Sequence, residues 1–288
     1  MNKRVTFLVL VALALSFSGN ASAAPAGENH VLNDKYAIWL GGFFPELSSK
    51  IQINGDIIGD GDIIDFEDTL GLEDSKTVIW GGARWRISRR NSLEFEFADL
   101  NRDGSISGIT EELQIGDSLV QAGARIDSRF DVTLGRLTYG FSLLRDEKMD
   151  IQLKAGLHIA DLSVGLQLTG AVCVDGEPPP CFIEFETPQV ESEDVTAPLP
   201  HFGGSFSYAF TPNISARFQV IGFAIELDSL DGSLVEVDAD VVWTPWEHFG
   251  FGAGLRYFNV DVESKGSDLN GQFDYEYYGP AIYGYFTF

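Results

Sequence analysis

Cysteine is nearly absent from this chain of 288 residues: only Cys173 and Cys181 occur, and they bracket the turn-rich segment 174–180. Two thiols with no histidine between them do not make a metal or redox centre, and in an oxidising compartment they point to one loop-closing disulfide. Basic residues are scarce too, 19 against 43 acidic ones. A formal charge of −24 leaves no basic stripe for phosphates, which excludes nucleic acid as a partner. After residue 23, no stretch approaches the roughly 18 uncharged apolar residues that a membrane-spanning helix needs.

What is present begins at the N-terminus. Lys3 and Arg4 lead into an apolar run from Val5 to Phe17 and then the small triplet Ala21, Ser22, Ala23. That layout predicts a secretory signal peptide over residues 1–23, cleaved before Ala24. Residues 24–34 then read as a periplasmic N-terminal segment and 35–288 as one domain. Without Lys3 and Arg4 the charge is near −26, so the exported protein attracts divalent cations or basic partners.

Beyond Lys35 the chain alternates with period two. Strands are expected near 35–44, 77–88, 92–102, 131–144, 149–160, 201–210, 214–226, 234–244, 249–260 and 273–288. Most are longer than the five or six residues usual in soluble proteins and suit the roughly 9–11 tilted residues that cross a bilayer. Connectors alternate between short ones, such as 89–91 and 146–148, and long ones, such as 45–76 and 161–200. An even strand count with short turns at one end and long loops at the other predicts a closed antiparallel transmembrane β-barrel of about ten strands, with periplasmic turns and extracellular loops.

A soluble barrel would put aromatics inside and charges in water; a membrane barrel inverts this. On the membrane phase the lumen collects Arg84, Arg86, Arg136, Lys154, His158, Arg217 and Arg256 against Glu94, Glu96, Glu236, Asp238 and Asp240. A three-residue turn at 89–91 would set Arg86 opposite Glu94 and Arg84 opposite Glu96. Eight strands leave room only for side chains and open pores appear near sixteen, so ten should be plugged by this network. The charges then serve structure, or else line a narrow ion path or proton relay.

The C-terminal residues Ile282, Tyr283, Tyr285, Phe286 and Phe288 resemble the last strand of Gram-negative outer-membrane β-barrel proteins. In that family a final Phe with alternating apolar residues is the signal read by the barrel-assembly machinery. The resemblance implies that Ile282, Phe286 and Phe288 form this signal, and counting back from Phe288 sets Phe286 and Ile282 toward outer-membrane lipid and lipopolysaccharide and Tyr283 and Tyr285 toward the lumen.

Asp99, Asn101, Asp103 and Ser105, with Gly104, resemble the first half of an EF-hand loop, but the twelfth position is Thr110 rather than a bidentate acid. Two readings stand: a Ca²⁺ site in an outer loop, or a polar turn where a strand leaves the membrane. The acidic run through Asp56, Asp60, Asp62, Asp65, Glu67, Asp68, Glu73 and Asp74 reads as solvated surface, or as a cation bridge to lipopolysaccharide. No other cofactor is implied.

Ten-stranded barrels include the omptin proteases, whose chemistry needs an Asp-His pair, but none of the four histidines has an Asp two residues away. His201 and His248 are placed near loops or turns, and His158 in the lumen. An adjacent His-Ser pair of the lipid A deacylase kind, the H-E-x-x-H pattern and the nucleophile elbow are absent. The expectation is a non-enzymatic barrel with a plugged, charged lumen that meets ions or ligands. A narrow passive channel is the alternative and an outer-surface hydrolase the third reading. No oligomeric state follows from these residues.

Overall fold

The computed structural model describes residues 29–53, 63–69, 71–107, 113–115, 118–120, 125–169, 171–174, 183–184, 189–227, 230–265 and 270–288. The expected signal peptide and the Cys181 end of the expected disulfide lie outside these residues.

The principal strands are β1 (Tyr36–Phe43), β2 (Glu46–Ile53), β3 (Ile63–Asp65), β4 (Val78–Arg86), β5 (Asn91–Ser107), β6 (Arg125–Arg145), β7 (Met149–Thr169), β8 (Gln189–Thr211), β9 (Ile214–Leu227), β10 (Leu230–Trp243), β11 (Phe249–Lys265) and β12 (Asn270–Thr287). All pair antiparallel with their neighbours, and β1 closes the ring by pairing with both β4 and β12. Ten strands, β1 and β4 to β12, thus form a closed barrel. Four short strands at 113–115, 118–120, 171–174 and 183–184 make a separate sheet.

β2 continues β1 along β12 in unbroken register, with Phe43 opposite Ala281 and Glu46 opposite Tyr278. Pro45, which has no N–H, interrupts the ladder between them. β3 folds back onto β2, and the segment that follows crosses to β5 through a bridge from Leu72 to Gly104.

An apolar belt surrounds the short-turn half. On β6 its outward residues are Leu137, Tyr139, Phe141 and Leu143, and on β10 Val235, Val241 and Trp243 stand exposed. These side chains gain nothing in water and belong in lipid, while the alternate residues point inward.

Several strands run further toward the long-loop end than their sequences suggested, and the reason is a reversal of parity. Along β5 the apolar residues face outward at Phe95 and Phe97 but inward at Ala98 and Leu100. β6 changes between Leu137 and Leu134, β7 between Ile159 and Ala160, and β10 between Val235 and Leu234. Inside the bilayer the barrel is apolar outside; beyond it, water lies outside and the apolar side chains turn in. The reversal on β7 suggests a bulge in the sequence, yet pairing with β6 continues smoothly from His158 through Ala160. The irregularity in that pairing lies instead between Ser142 and Leu144, beside the short turn.

The first hairpin also differs from its expected register. Arg84, not Arg86, lies opposite Glu94, and Trp85 faces Leu93. The Ser88 hydroxyl accepts from Asn91 Nδ2 at 2.6 Å and from the Arg90 amide at 3.3 Å, drawing the turn back to 88–90. A shift of two leaves every side chain on its original face, so alternation could not detect it.

Candidate functional site

Every residue of the sequence-derived lumenal network lies on an inward face, most of them buried. Arg136 on β6 is the hub: its guanidinium bonds Glu96 and Glu236 and lies 3.4 Å from Asp238. Arg256 spans Asp238 at 2.9 Å and Asp240 at 3.1 Å, and its Cζ lies 3.7 Å from the Trp80 ring centroid. Arg217 meets Asp240 at 3.3 Å and Glu94 at 3.6 Å, and Lys154 bonds Glu94 at 2.5 Å.

Parity alone would have added two residues that the sequence reading left out. Asp150 shares a face with Gln152 and Lys154 and bonds Arg86 at 3.2 Å. With it, six cations (Arg84, Arg86, Arg136, Lys154, Arg217, Arg256) meet six anions (Glu94, Glu96, Asp150, Glu236, Asp238, Asp240) in this belt of the lumen. The other is His201, which does not sit near a turn: it is a fully buried lumenal residue of β8. Gly156 makes room for it, since a Cβ there would stand 2.8 Å from the imidazole.

His201 Nδ1 lies 3.1 Å from His158 Nδ1, and the rings meet edge to face at 4.7 Å. His158 Nε2 lies 2.7 Å from Glu236 and His201 Nε2 lies 3.0 Å from Thr138 Oγ1. With both rings neutral, every contact is satisfied: Thr138 donates to His201, His201 Nδ1–H to His158, and His158 Nε2–H to Glu236.

Among the described residues, each end of the lumen carries a segment that packs into it. At the short-turn end Asn29 caps a single helical turn, α1 (His30–Asn33), by accepting from the Leu32 amide at 3.1 Å. Arg84 donates to the Val31 carbonyl at 2.8 Å, while Arg86 and Arg145 donate to that of Leu32 at 3.0 and 3.1 Å. The cavity above α1, bordered by Arg86, Glu94 and Asp150, measures about 50 Å³. That is room for a few waters.

At the other end lies an apolar plug, which the sequence reading did not foresee. Ile64, Phe66 and Leu72 enter from the segment after β2 and pack with Leu100, Phe130 and Tyr275. Phe66 meets Phe130 edge to face at 5.1 Å. Arg102 is fully buried there, bonded to Glu67 and the Ser49 hydroxyl and stacked 5.2 Å from the Phe130 ring. Glu67 therefore leaves the acidic run expected at the surface and becomes an internal counter-ion.

Asp99, Asn101, Asp103 and Ser105 do not flank a sharp turn. β5 continues through Gly104 to Ser107, and all four point outward along one face of it. Alternate residues of a strand are spaced too widely to wrap one ion. Asp103 pairs with exposed Arg129 at 3.2 Å, and Thr133 donates to Asp99 at 3.4 Å. Cys173 lies in the strand Ala171–Val174, beside Leu119.

Beyond the belt on the other side of the barrel, Asp274 faces Asp261 across strands β11 and β12. Partial burial, then Asp261 and Glu276, raise its carboxyl above the ordinary aspartate range. A raised native value means that its contribution to stability is present at low pH and lost as pH rises through it. Asp274→Asn should therefore be slightly more stable than the parent at neutral pH, and the gap should close below the ordinary aspartate range; paired thermal melts across pH check this.

Ile282, Phe286 and Phe288 are exposed on the belt, whereas Tyr283 and Tyr285 are buried in the lumen. The Tyr283 hydroxyl donates to Asp240 at 3.1 Å.

No family model and no curated protein matches the chain in sequence. Among solved structures it is similar to the outer membrane protease OmpT of Escherichia coli, with 11% identity and a TM-score of 0.54, covering 88% of this chain and 97% of that one. The transport unit of the E. coli autotransporter AIDA-I matches with 7% identity and a TM-score of 0.41 over 98% and 97% of the two chains. OprG of Pseudomonas aeruginosa matches with 12% identity and a TM-score of 0.31 over 89% and 97%. At such identities the likeness is one of fold. Together with the closed ring of ten antiparallel strands, it makes this chain, in fold, an outer-membrane β-barrel.

Proposed function

We propose that this protein is a closed, non-enzymatic outer-membrane barrel that acts through its walls and its acidic extracellular face rather than by passing solute. The filled lumen carries this reading: α1 below, a charge-balanced network in the middle and the Phe66–Phe130 plug above leave a cavity of about 50 Å³. In this reading the belt meets outer-membrane lipid and lipopolysaccharide, the outward loops meet cations or basic ligands, and the assembly machinery reads Ile282, Phe286 and Phe288.

The positions of the histidines support a non-hydrolytic role. His158 and His201 are buried in the lumen. His30 and His248 meet at the periplasmic end, 6.2 Å apart, with His248 stacked 5.8 Å from Phe288. A water-activating imidazole at the extracellular rim would have to come from none of these four. Peptide and lipid hydrolysis assays on the folded protein should stay at background.

Planar-bilayer recording tests the closed lumen. The purified barrel should give no steady unit steps across a wide voltage range; reproducible steps would establish the narrow channel instead.

A further inference from the structure

The periplasmic rim is electrostatically lopsided. The turn between β4 and β5 carries Arg89 and Arg90, and β6 ends on Arg145 just before Lys148, whereas 211–213 and 244–248 contain no Lys or Arg. This concentration stands out in a chain with 43 acidic and 19 basic residues. Arg89, Arg145 and Lys148 border one recess of about 690 Å³, together with Met149 and Tyr208. Asn33, Asp146 and Glu147 complete its lining.

The recess is built rather than incidental. Arg145 is held in place by donating to the Arg89 carbonyl at 2.7 Å and the Leu32 carbonyl at 3.1 Å. The Asp146 carboxylate is engaged by its own turn, accepting from the Lys148 and Met149 amides at 2.8 and 2.9 Å. Tyr208 belongs to an outward aromatic row, with its ring 6.3 Å from Phe206 and 5.1 Å from Phe210. One wall of the recess is thus continuous with the lipid-facing belt, and its cations stand where that belt ends. That is the depth of the inner-leaflet headgroups, where basic side chains attract anionic lipid.

We propose that this recess binds the headgroup of an anionic phospholipid of the inner leaflet. Arg89 and Lys148 hold the phosphate, and Tyr208 and Met149 cover the glycerol and first acyl carbons. The apolar wall selects a lipid over a free anion, because a soluble phosphate would leave it uncovered. The proposal goes beyond the closed-lumen reading, and it survives even if the barrel conducts.

The test uses the whole folded protein in nanodiscs of equal parts phosphatidylglycerol and phosphatidylcholine, followed by native mass spectrometry of the lipids retained. The parent should keep phosphatidylglycerol over phosphatidylcholine by roughly fivefold or more. Arg89→Ala with Lys148→Ala should bring the ratio to parity; Arg145 stays because it ties α1 to the wall. Gel mobility before and after heating verifies that the variant is folded. Excess glycerol 3-phosphate should leave the retained lipid in place. No preference in the parent, an unchanged preference in the folded variant, or displacement by glycerol 3-phosphate would each overturn the proposal, the last by making the occupant a soluble anion.

Discussion

Replacing Arg136 with alanine should destabilise the barrel by about 3–5 kcal/mol, the cost typical of removing one partner from a buried ionic group. The parent side chain bonds Glu96 and Glu236 and approaches Asp238, all of them buried. Without it Glu96 and Glu236 lose the guanidinium that joins them, while Arg256 keeps Asp238 at 2.9 Å and Arg217 stands no nearer than 3.8 Å to Glu96. Arg136→Lys should recover only part of the loss, since a compact ammonium cannot reach two carboxylates as a planar fork does. Urea unfolding in detergent micelles, followed by tryptophan fluorescence, gives the comparison. A variant within 1 kcal/mol of the parent, on the scale of an exposed pair, would contradict the hub role.

Arg102→Ala should have a loss of similar size, but confined to the outer half of the molecule. This residue joins Glu67 and Ser49 and also donates to the Glu73 carbonyl at 3.3 Å, fastening the segment after β2 to β5. Its removal strands Glu67 among apolar side chains, and the segment carrying Phe66 and Leu72 should detach. Protease added to intact cells should then cut between residues 63 and 75, while the belt keeps its heat-resistant mobility. Arg102 and Arg136 share no bonding partner, so the double variant should show additive losses. Protection unchanged from the parent would mean that apolar packing alone holds the plug.

The two halves of the molecule were not equally legible in sequence. Through the belt, polar and apolar residues alternate cleanly on β5, β6, β7 and β10, which is why Glu94, Arg136, Lys154 and Asp238 could be assigned to the lumen by counting. That pattern depends on lipid outside and polar groups inside. Where the medium outside becomes water the pattern reverses, so strand continuation into Ser107, Arg125 and Thr169 looks like loop. Arg102 and His201 were the end residues of their expected strands for this reason, and Asp150 was passed over because it borders a turn. The register of the first hairpin was hidden by a different cause: faces repeat every two residues, and only Ser88 distinguishes the alternatives. The long-range entry of Phe66 beneath Phe130 leaves no mark in local periodicity.

The reversal of parity has a mechanical consequence. Ala98, Leu134 and Ala160 lie side by side on β5, β6 and β7, and the next row outward is Asp99, Thr133 and Asp161. Sinking the barrel by one such row would press Asp99 and Asp161 toward hydrocarbon, and raising it would lift Phe97 and Ile159 into water. Either displacement is opposed, with the charged groups penalised more steeply as they go deeper. The protein floats at one height, so it cannot work as a piston through the membrane. Any signal crossing this wall would have to bend the projecting crown above a fixed waterline.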